Sequence, residues 1–168
     1  YYGLLMSQEN YRIAKENTGI KKTLLDNTKK KLSLGVASKM DVLQAENAYI
    51  TAECAVEIAL SYLPMTLRQC PVLVIGWGRI GKCLGQILHA LDADLTVAAR
   101  KDADRAICRG LGYAAVDTAR MVETLGKYRL ILNTAPERLL TKEQLAQCHP
   151  DCVKIDLASR TGMEDDSV

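Results

Sequence analysis

From Pro71 onward the sequence predicts an α/β fold, a parallel sheet wound with helices on both faces, preceded by a purely helical segment. Three observations predict it. Short β-branched apolar runs alternate with amphipathic stretches after Pro71. The first run opens directly into a glycine triplet, Gly76-x-Gly78-x-x-Gly81. Residues 1–50, by contrast, show helical periodicity and no strand-like run.

In residues 1–50, Leu4, Tyr11, Leu25 and Leu32 fall on a seven-residue repeat with Thr18 in its gap. Met6, Ile13, Ile20 and Leu34 form a second row, with Asn27 in its gap. An offset of two residues is about 200° around a helix, so the rows lie on opposite faces and suit a helix held between neighbours. Gly35 breaks the pattern, and Ser38-Lys-Met-Asp41 reads as an N-cap with an acidic third residue opening a second helix. The expectation is an antiparallel helical hairpin over 1–50. Lys29-Lys30-Lys31 complements the dipole at the end of its first helix. Residues 51–70 continue as a connecting helix that Pro64 stops.

Beyond that, strands are expected at Val72–Ile75, Leu95–Ala98, Tyr113–Val116, Leu130–Asn133 and Val153–Leu157. Helices are expected near Arg79–Leu91, Asp102–Leu111, Ala119–Leu125 and Lys142–Cys148. This is a Rossmann-like doubly wound sheet with five strands in the order 3-2-1-4-5 and a ligand at their carboxyl ends. A sixth strand belongs to the full pattern, so 71–168 reads as a domain incomplete at its C-terminus. The start at Tyr1-Tyr2-Gly3, without an initiator Met, reads as text from a longer protein.

Composition narrows the classes. The chain has 168 residues, 48% of them hydrophobic, and a net charge of +2, which predicts neither a nucleic-acid nor a membrane-surface partner for the α/β part. No apolar run reaches the length of a membrane span. The six cysteines are irregularly spaced, which points to reduced thiols and a cytoplasmic setting. Cys148-His149-Pro150-Asp151-Cys152 contains metal-ligand types, but Pro150 interrupts it and no second ligand pair follows; it reads as a loop.

The candidate site gathers at the strand ends. Gly76 permits a sharp turn, Gly78 lets the backbone approach a pyrophosphate, and Gly81 lets helix and strand pack closely. Trp77, Arg79 and Ile80 complete the loop. Arg79 either approaches the pyrophosphate or lies on the surface. The helix start supplies unpaired N–H groups and partial positive charge. At the second strand's end, Ala98-Ala99-Arg100-Lys101 lacks the carboxylate that grips a ribose 2′-hydroxyl. Two cations there favour NADP over NAD, the alternative being solvated cations with Asp102 or Asp104 turned toward the ribose. Asn133, Thr134 and Pro136 follow the fourth strand, as nucleotide contacts or as ordinary turn chemistry. Ser159 and Arg160 follow the fifth. His89 is expected on the far, exposed side of the first domain helix. No catalytic acid or base can be named.

Two resemblances attach to these residues. Leu34-Gly-Val-Ala-Ser-Lys-Met-Asp-Val-Leu-Gln-Ala-Glu46 resembles the helix-turn-helix segment of TolC-like outer-membrane efflux proteins, which implies a structural, non-catalytic role in a periplasmic duct. Residues 51–168 resemble the C-terminal nucleotide-binding half of the A subunit of dipicolinate synthase. The residues that carry this are Thr51-Ala-Glu53, Gly76-Trp-Gly-Arg-Ile-Gly81, Asn133-Thr134 with Pro136, and above all Asp156-Leu-Ala-Ser-Arg160 with Gly162. Cys54, Trp77 and Thr161 depart from it, where Gly, Phe and Pro are usual. This resemblance implies nicotinamide-dependent oxidation of a dihydrodipicolinate-like dicarboxylate to dipicolinate in sporulation, with a flavoprotein-like partner as the other component of the synthase. Arg160 would then clamp a substrate carboxylate, unless it pairs with Asp156, Glu164, Asp165 or Asp166. The alternatives are an inactive nucleotide-binding module and a helical duct component joined by a fused reading frame. The helical segment could also serve as a homo-oligomerisation arm.

Overall fold

The computed structural model describes residues 39–160, 162 and 163. The two-row helix, the Gly35 break, the Ser38 cap, Thr161 and the tail acids lie outside the described residues. The chain divides into two compact units, Tyr1–Ile50 and Thr51–Val168. The described part of the first unit is helical, within α1 (Lys39–Tyr62). Among the described residues no helix is long and apolar enough to cross a membrane.

The second unit is built on five parallel strands: β1 (Pro71–Ile75), β2 (Asp94–Ala98), β3 (Ala114–Val116), β4 (Leu130–Asn133) and β5 (Val153–Asp156). Their order is β3-β2-β1-β4-β5, the order expected from the βα alternation. β1 is central, and Val72 through Ile75 are wholly buried, so its unbroken apolar run reflects cover on both faces. The register sets Ile75 beside Ala98 and Asn133, and Asn133 beside Asp156. The carboxyl ends of β2, β1, β4 and β5 therefore finish in one row. β5 is an edge strand, half-buried along its length.

Helix α2 (Arg79–Ala90) buries Cys83, Leu84, Ile87 and Leu88 beside β1 and β2, while α3 (Asp102–Gly110) packs on β2 and β3. The core on the other side joins Leu73, Ile75 and Ile131 of the sheet to Met121, Leu125, Tyr128, Leu140 and Leu145. Burial of such side chains contributes about 1.5–3 kcal/mol each.

Two expected helices differ. The one expected over Ala119–Leu125 is a 3₁₀ helix, Met121–Lys127. Asp117 accepts from Ala119 N, and Glu123 and Tyr128 donate three residues back, which winds the segment too tightly for α geometry. That winding still buries Met121, Leu125 and Tyr128. The helix expected over Lys142–Cys148 is shorter, α4 (Lys142–Leu145). Thr141 and Gln144 close a capping box at its start.

Candidate nucleotide site

The three loop glycines face different constraints. Gly76 has φ +99°, and a Cβ there would stand 2.6 Å from Thr134 Oγ1. A Cβ on Gly81 would overlap the carbonyl oxygen of Gly76. Both positions are closed by the protein itself, the first by backbone conformation and the second by helix–strand proximity. Gly78 is different: it has ordinary φ −80°, and a Cβ would meet no atom of the described residues within 4 Å. Nothing in the fold requires glycine there, so its openness leaves room beside a helix start.

Gly78 is also the N-cap of α2, and among the described residues no side chain caps that helix. The first intrahelical bond runs from Lys82 N to Gly78 O, so the earlier N–H groups have no helical acceptor. Open space and free donors coincide there, the arrangement that receives an anion. Arg79 is exposed and Ile80 half-buried.

Trp77 points inward. Its ring lies against Gly85, where a Cβ would come within 3.0 Å, and meets Tyr113 edge-on at 5.9 Å. Its buried indole N–H has no partner among the described residues. His89 is exposed, as expected, and tilts over the Tyr113 ring at 5.1 Å.

The loops after β4 and β5 are tied to this edge by hydrogen bonds. Thr134 Oγ1 donates to Ile75 O at 2.9 Å, joining β4 to the end of β1. Asn133 is fully buried; its Nδ2 donates to Asp156 Oδ1 at 2.9 Å and to Ala135 O at 3.2 Å. Its Oδ1 accepts from Ala135 N at 3.1 Å. Asp156 also accepts from Ala158 N at 3.1 Å, Gly162 N at 2.7 Å and Met163 N at 3.1 Å. The carboxylate thus organises the loop carrying Ser159 and Arg160, both of which are exposed. Among the described residues no ion pair joins Asp156 to Arg160, so that alternative is replaced by an anchoring role for Asp156. Asn133 faces inward and orders the turn, while Thr134 stays half-buried at the end of β1.

At the end of β2, Arg100 and Lys101 are exposed. Arg100 Nη1 is 3.2 Å from Glu137 Oε1, with both side chains largely in solvent. Such a pair contributes about 0–1 kcal/mol and is readily exchanged. Asp102, the alternative ribose ligand, pairs with Arg105. Arg105 is buried, and its Nη1 donates to Ala99 O at 2.6 Å and Arg100 O at 2.7 Å while pairing with Asp117 at 2.9 Å. It fixes the backbone from which Arg100 projects. Sequence patterns did not single out Arg105, Glu137 or the anchoring role of Asp156. Asp102-x-x-Arg105 was a visible local signal, but Asp117 and Glu137 come from separate loops.

A parallel sheet of this order, with an open glycine loop at an uncapped helix start, defines a Rossmann-type nucleotide-binding domain. The likeness to known proteins is more particular: over 150 residues the chain is 28% identical to the A subunit of dipicolinate synthase from Bacillus subtilis. That match takes in 88% of this chain and 50% of the relative, so the chain spans about half the relative's length. A stretch of that size cannot fit within 51–168, so it runs into the segment with TolC-like residues.

The crystal structure of the corresponding dipicolinate synthase component from Bacillus halodurans is similar at TM-score 0.69 and 27% identity, over 71% of this chain and 42% of that one. That of the Bacillus subtilis protein gives TM-score 0.66 and 28% identity, over 70% and 40%. A transhydrogenase from Sinorhizobium meliloti shares the fold at TM-score 0.67 and 22% identity, over 73% and 42%. No protein-family profile matches the chain.

Proposed function

We propose that residues 71–168 bind a nicotinamide dinucleotide, NADP(H) in preference to NAD(H), as the oxidoreductase part of a dipicolinate synthase-type enzyme. The reaction is oxidation of a dihydrodipicolinate-like dicarboxylate to dipicolinate in sporulation. The observation that carries the reading is the open space at Gly78 beside the uncapped start of α2. It fits a diphosphate, which needs close backbone approach and N–H donors.

The bound nicotinamide would supply the hydride acceptor. The chain's own residues bind and orient. The Gly76–Gly81 loop holds the diphosphate, with Arg79 beside it. Arg100, released from Glu137, meets the 2′-phosphate together with Lys101. Thr134 flanks the nucleotide, with Asn133 setting the turn. Ser159 and Arg160 receive a substrate carboxylate, on a loop that Asp156 holds in place. The likeness to dipicolinate synthase supports the dicarboxylate substrate, and the relative's being one component of a multi-subunit synthase supports a second, flavoprotein-like partner. The same reading assigns 1–50 to a helical hairpin that serves as an oligomerisation arm, 51–70 to a connector whose helix ends at Tyr62, and the whole to the cytoplasm.

The test uses Trp77, the single tryptophan, adjacent to Gly78. Its emission is followed during titration with NADPH and then NADH. Saturable energy transfer, tighter for NADPH, is the expected outcome; no saturable change with either nucleotide overturns the reading. Arg100→Ala is expected to weaken NADPH binding by about 1–3 kcal/mol and to spare NADH. Equal losses would remove the 2′-phosphate assignment.

A further inference from the structure

At the opposite, amino-terminal edge of the sheet, two thiols come together on a single turn. Cys148 follows α4, its N–H bonded to Leu145 O at 3.1 Å. Cys152 closes the next turn through a 2.9 Å bond from its N–H to His149 O, just before β5. The turn is braced from β4's side: Arg129 Nη1 lies 2.9 Å from His149 Nδ1 and 3.4 Å from Asp151 Oδ2. Asp151 N donates to the same His149 nitrogen at 3.1 Å. Pro150 stiffens the turn's centre. Cys152 is buried in the core cluster that holds Met121, Leu140 and Leu145, and Cys148 packs half-buried against that cluster. The Cys152 thiol donates to Val153 O at 3.7 Å, and the two sulfurs lie near enough on this turn to bias one another's protonation. Of the other cysteines, Cys54 is exposed, while Cys70, Cys83 and Cys108 are buried.

We propose that Cys148 and Cys152 form a reversible dithiol–disulfide site, closed by exchange with a small-molecule disulfide. Cys148 is the accessible member and attacks; Cys152 resolves. The Cys148 thiolate bonds to one sulfur of the external disulfide and expels the other as a thiolate. Cys152 then loses its proton and attacks Cys148 Sγ, releasing the second external thiol. The protein loses two hydrogens and the external disulfide becomes two thiols, so atoms and electrons balance.

The electrostatics divide these roles in the same way. The neighbouring Cys152 thiol, aided by the charge of Lys154, lowers the Cys148 thiol to about 7 despite its burial. That places thiolate at Cys148 near neutral pH, where attack on a disulfide is efficient. Cys152 is pushed up, first by the neighbouring Cys148 sulfur and then by burial; Cys70 adds to the rise, and Lys154 opposes it. It therefore stays protonated until Cys148 has reacted. The site begins β5, the strand whose far end carries Asp156.

The experiment treats the full chain with oxidised glutathione at neutral pH, traps free thiols by alkylation after denaturation, and maps the peptides by mass. The unsubstituted chain should become lighter by two hydrogens, with four of its six cysteines still alkylated and the link mapped to 148–152. Dithiothreitol should restore all six. Cys54→Ser should leave closure unchanged, and Cys152→Ser should stall as a glutathione adduct on Cys148. A persistent glutathione adduct at Cys148 of the unsubstituted chain, a link between other cysteines in place of 148–152, or no thiol loss at Cys148 and Cys152 would each overturn the proposal. The decisive readout needs no substitution, so it stands whether or not the variants fold.

Discussion

The loops after β1 and β5 end in the same row of strand termini and are built on opposite principles. The β1 loop works by missing atoms: Gly76 and Gly81 let backbone and helix approach, while Gly78 leaves space that no atom of the described residues fills. Its donors stay free for a ligand. The β5 loop works by an added group: the Asp156 carboxylate takes backbone N–H groups from Ala158, Gly162 and Met163 and the amide of Asn133. Those four donors are already satisfied within the fold, so the loop holds shape rather than a diphosphate. What it offers a ligand is the exposed Ser159 and Arg160 beyond the anchor.

This contrast breaks most sharply at Gly81. Gly81→Val sets a side chain against the Gly76 carbonyl, which backbone cannot yield cheaply. The expected cost is about 3 kcal/mol of unfolding free energy, read from the urea midpoint, with nucleotide binding lost. A full-stability variant would show that helix and strand can separate there.

Asp156→Ala tests the other principle. Removing the anchor should cost about 2–3 kcal/mol, because buried donors lose a charged acceptor. NADPH titration of the folded fraction should change far less than the urea midpoint does. An unchanged midpoint would mean that water replaces the carboxylate without loss.

Gly78→Ala separates ligand space from folding space. Its φ suits alanine and no neighbour is met, so stability should move by no more than about 0.5 kcal/mol. NADPH affinity should nevertheless fall about tenfold, roughly 1.4 kcal/mol. Unaltered affinity would mean that the open space at Gly78 is not where the diphosphate lies.

The smallest effect is expected at Trp77. Trp77→Phe loses ring contact with Gly85 and Tyr113 but removes a buried N–H that has no acceptor among the described residues. The two changes oppose one another, leaving a net shift of about 1 kcal/mol or less in thermal or urea unfolding. A loss well above that would mean that the ring's shape, beyond its bulk, is required. The orphan N–H also gives a physical reason why phenylalanine suits this position.

Much of this was legible in the chain because it rests on local rules. The strand order followed from β-branched runs alternating with helical stretches, since short crossovers of one hand leave few topologies. The glycine loop was legible because its spacing encodes a turn and two close approaches. The 3₁₀ segment was not, because Asp117 and the burial of Tyr128 set its winding, and an apolar pattern does not distinguish three residues per turn from 3.6 over one short stretch. Asp156 was visible as part of a run with Ser159 and Arg160, but its role was not: it depends on register with Asn133, a contact across 23 residues.

Apolar periodicity and glycine spacing encode the sheet, its order and the place of the open loop, because both act within a few residues. Long-range contacts set which charged groups stand in solvent and which serve the fold. Arg105 and Arg100 are both arginines near the end of β2, yet one is buried on two carbonyls and the other stands in solvent beside Glu137. That difference arises from which loops the sheet brings together, and burial makes it energetic: a buried guanidinium must be satisfied by partners from Ala99, Arg100 and Asp117, whereas an exposed one remains free to change partners.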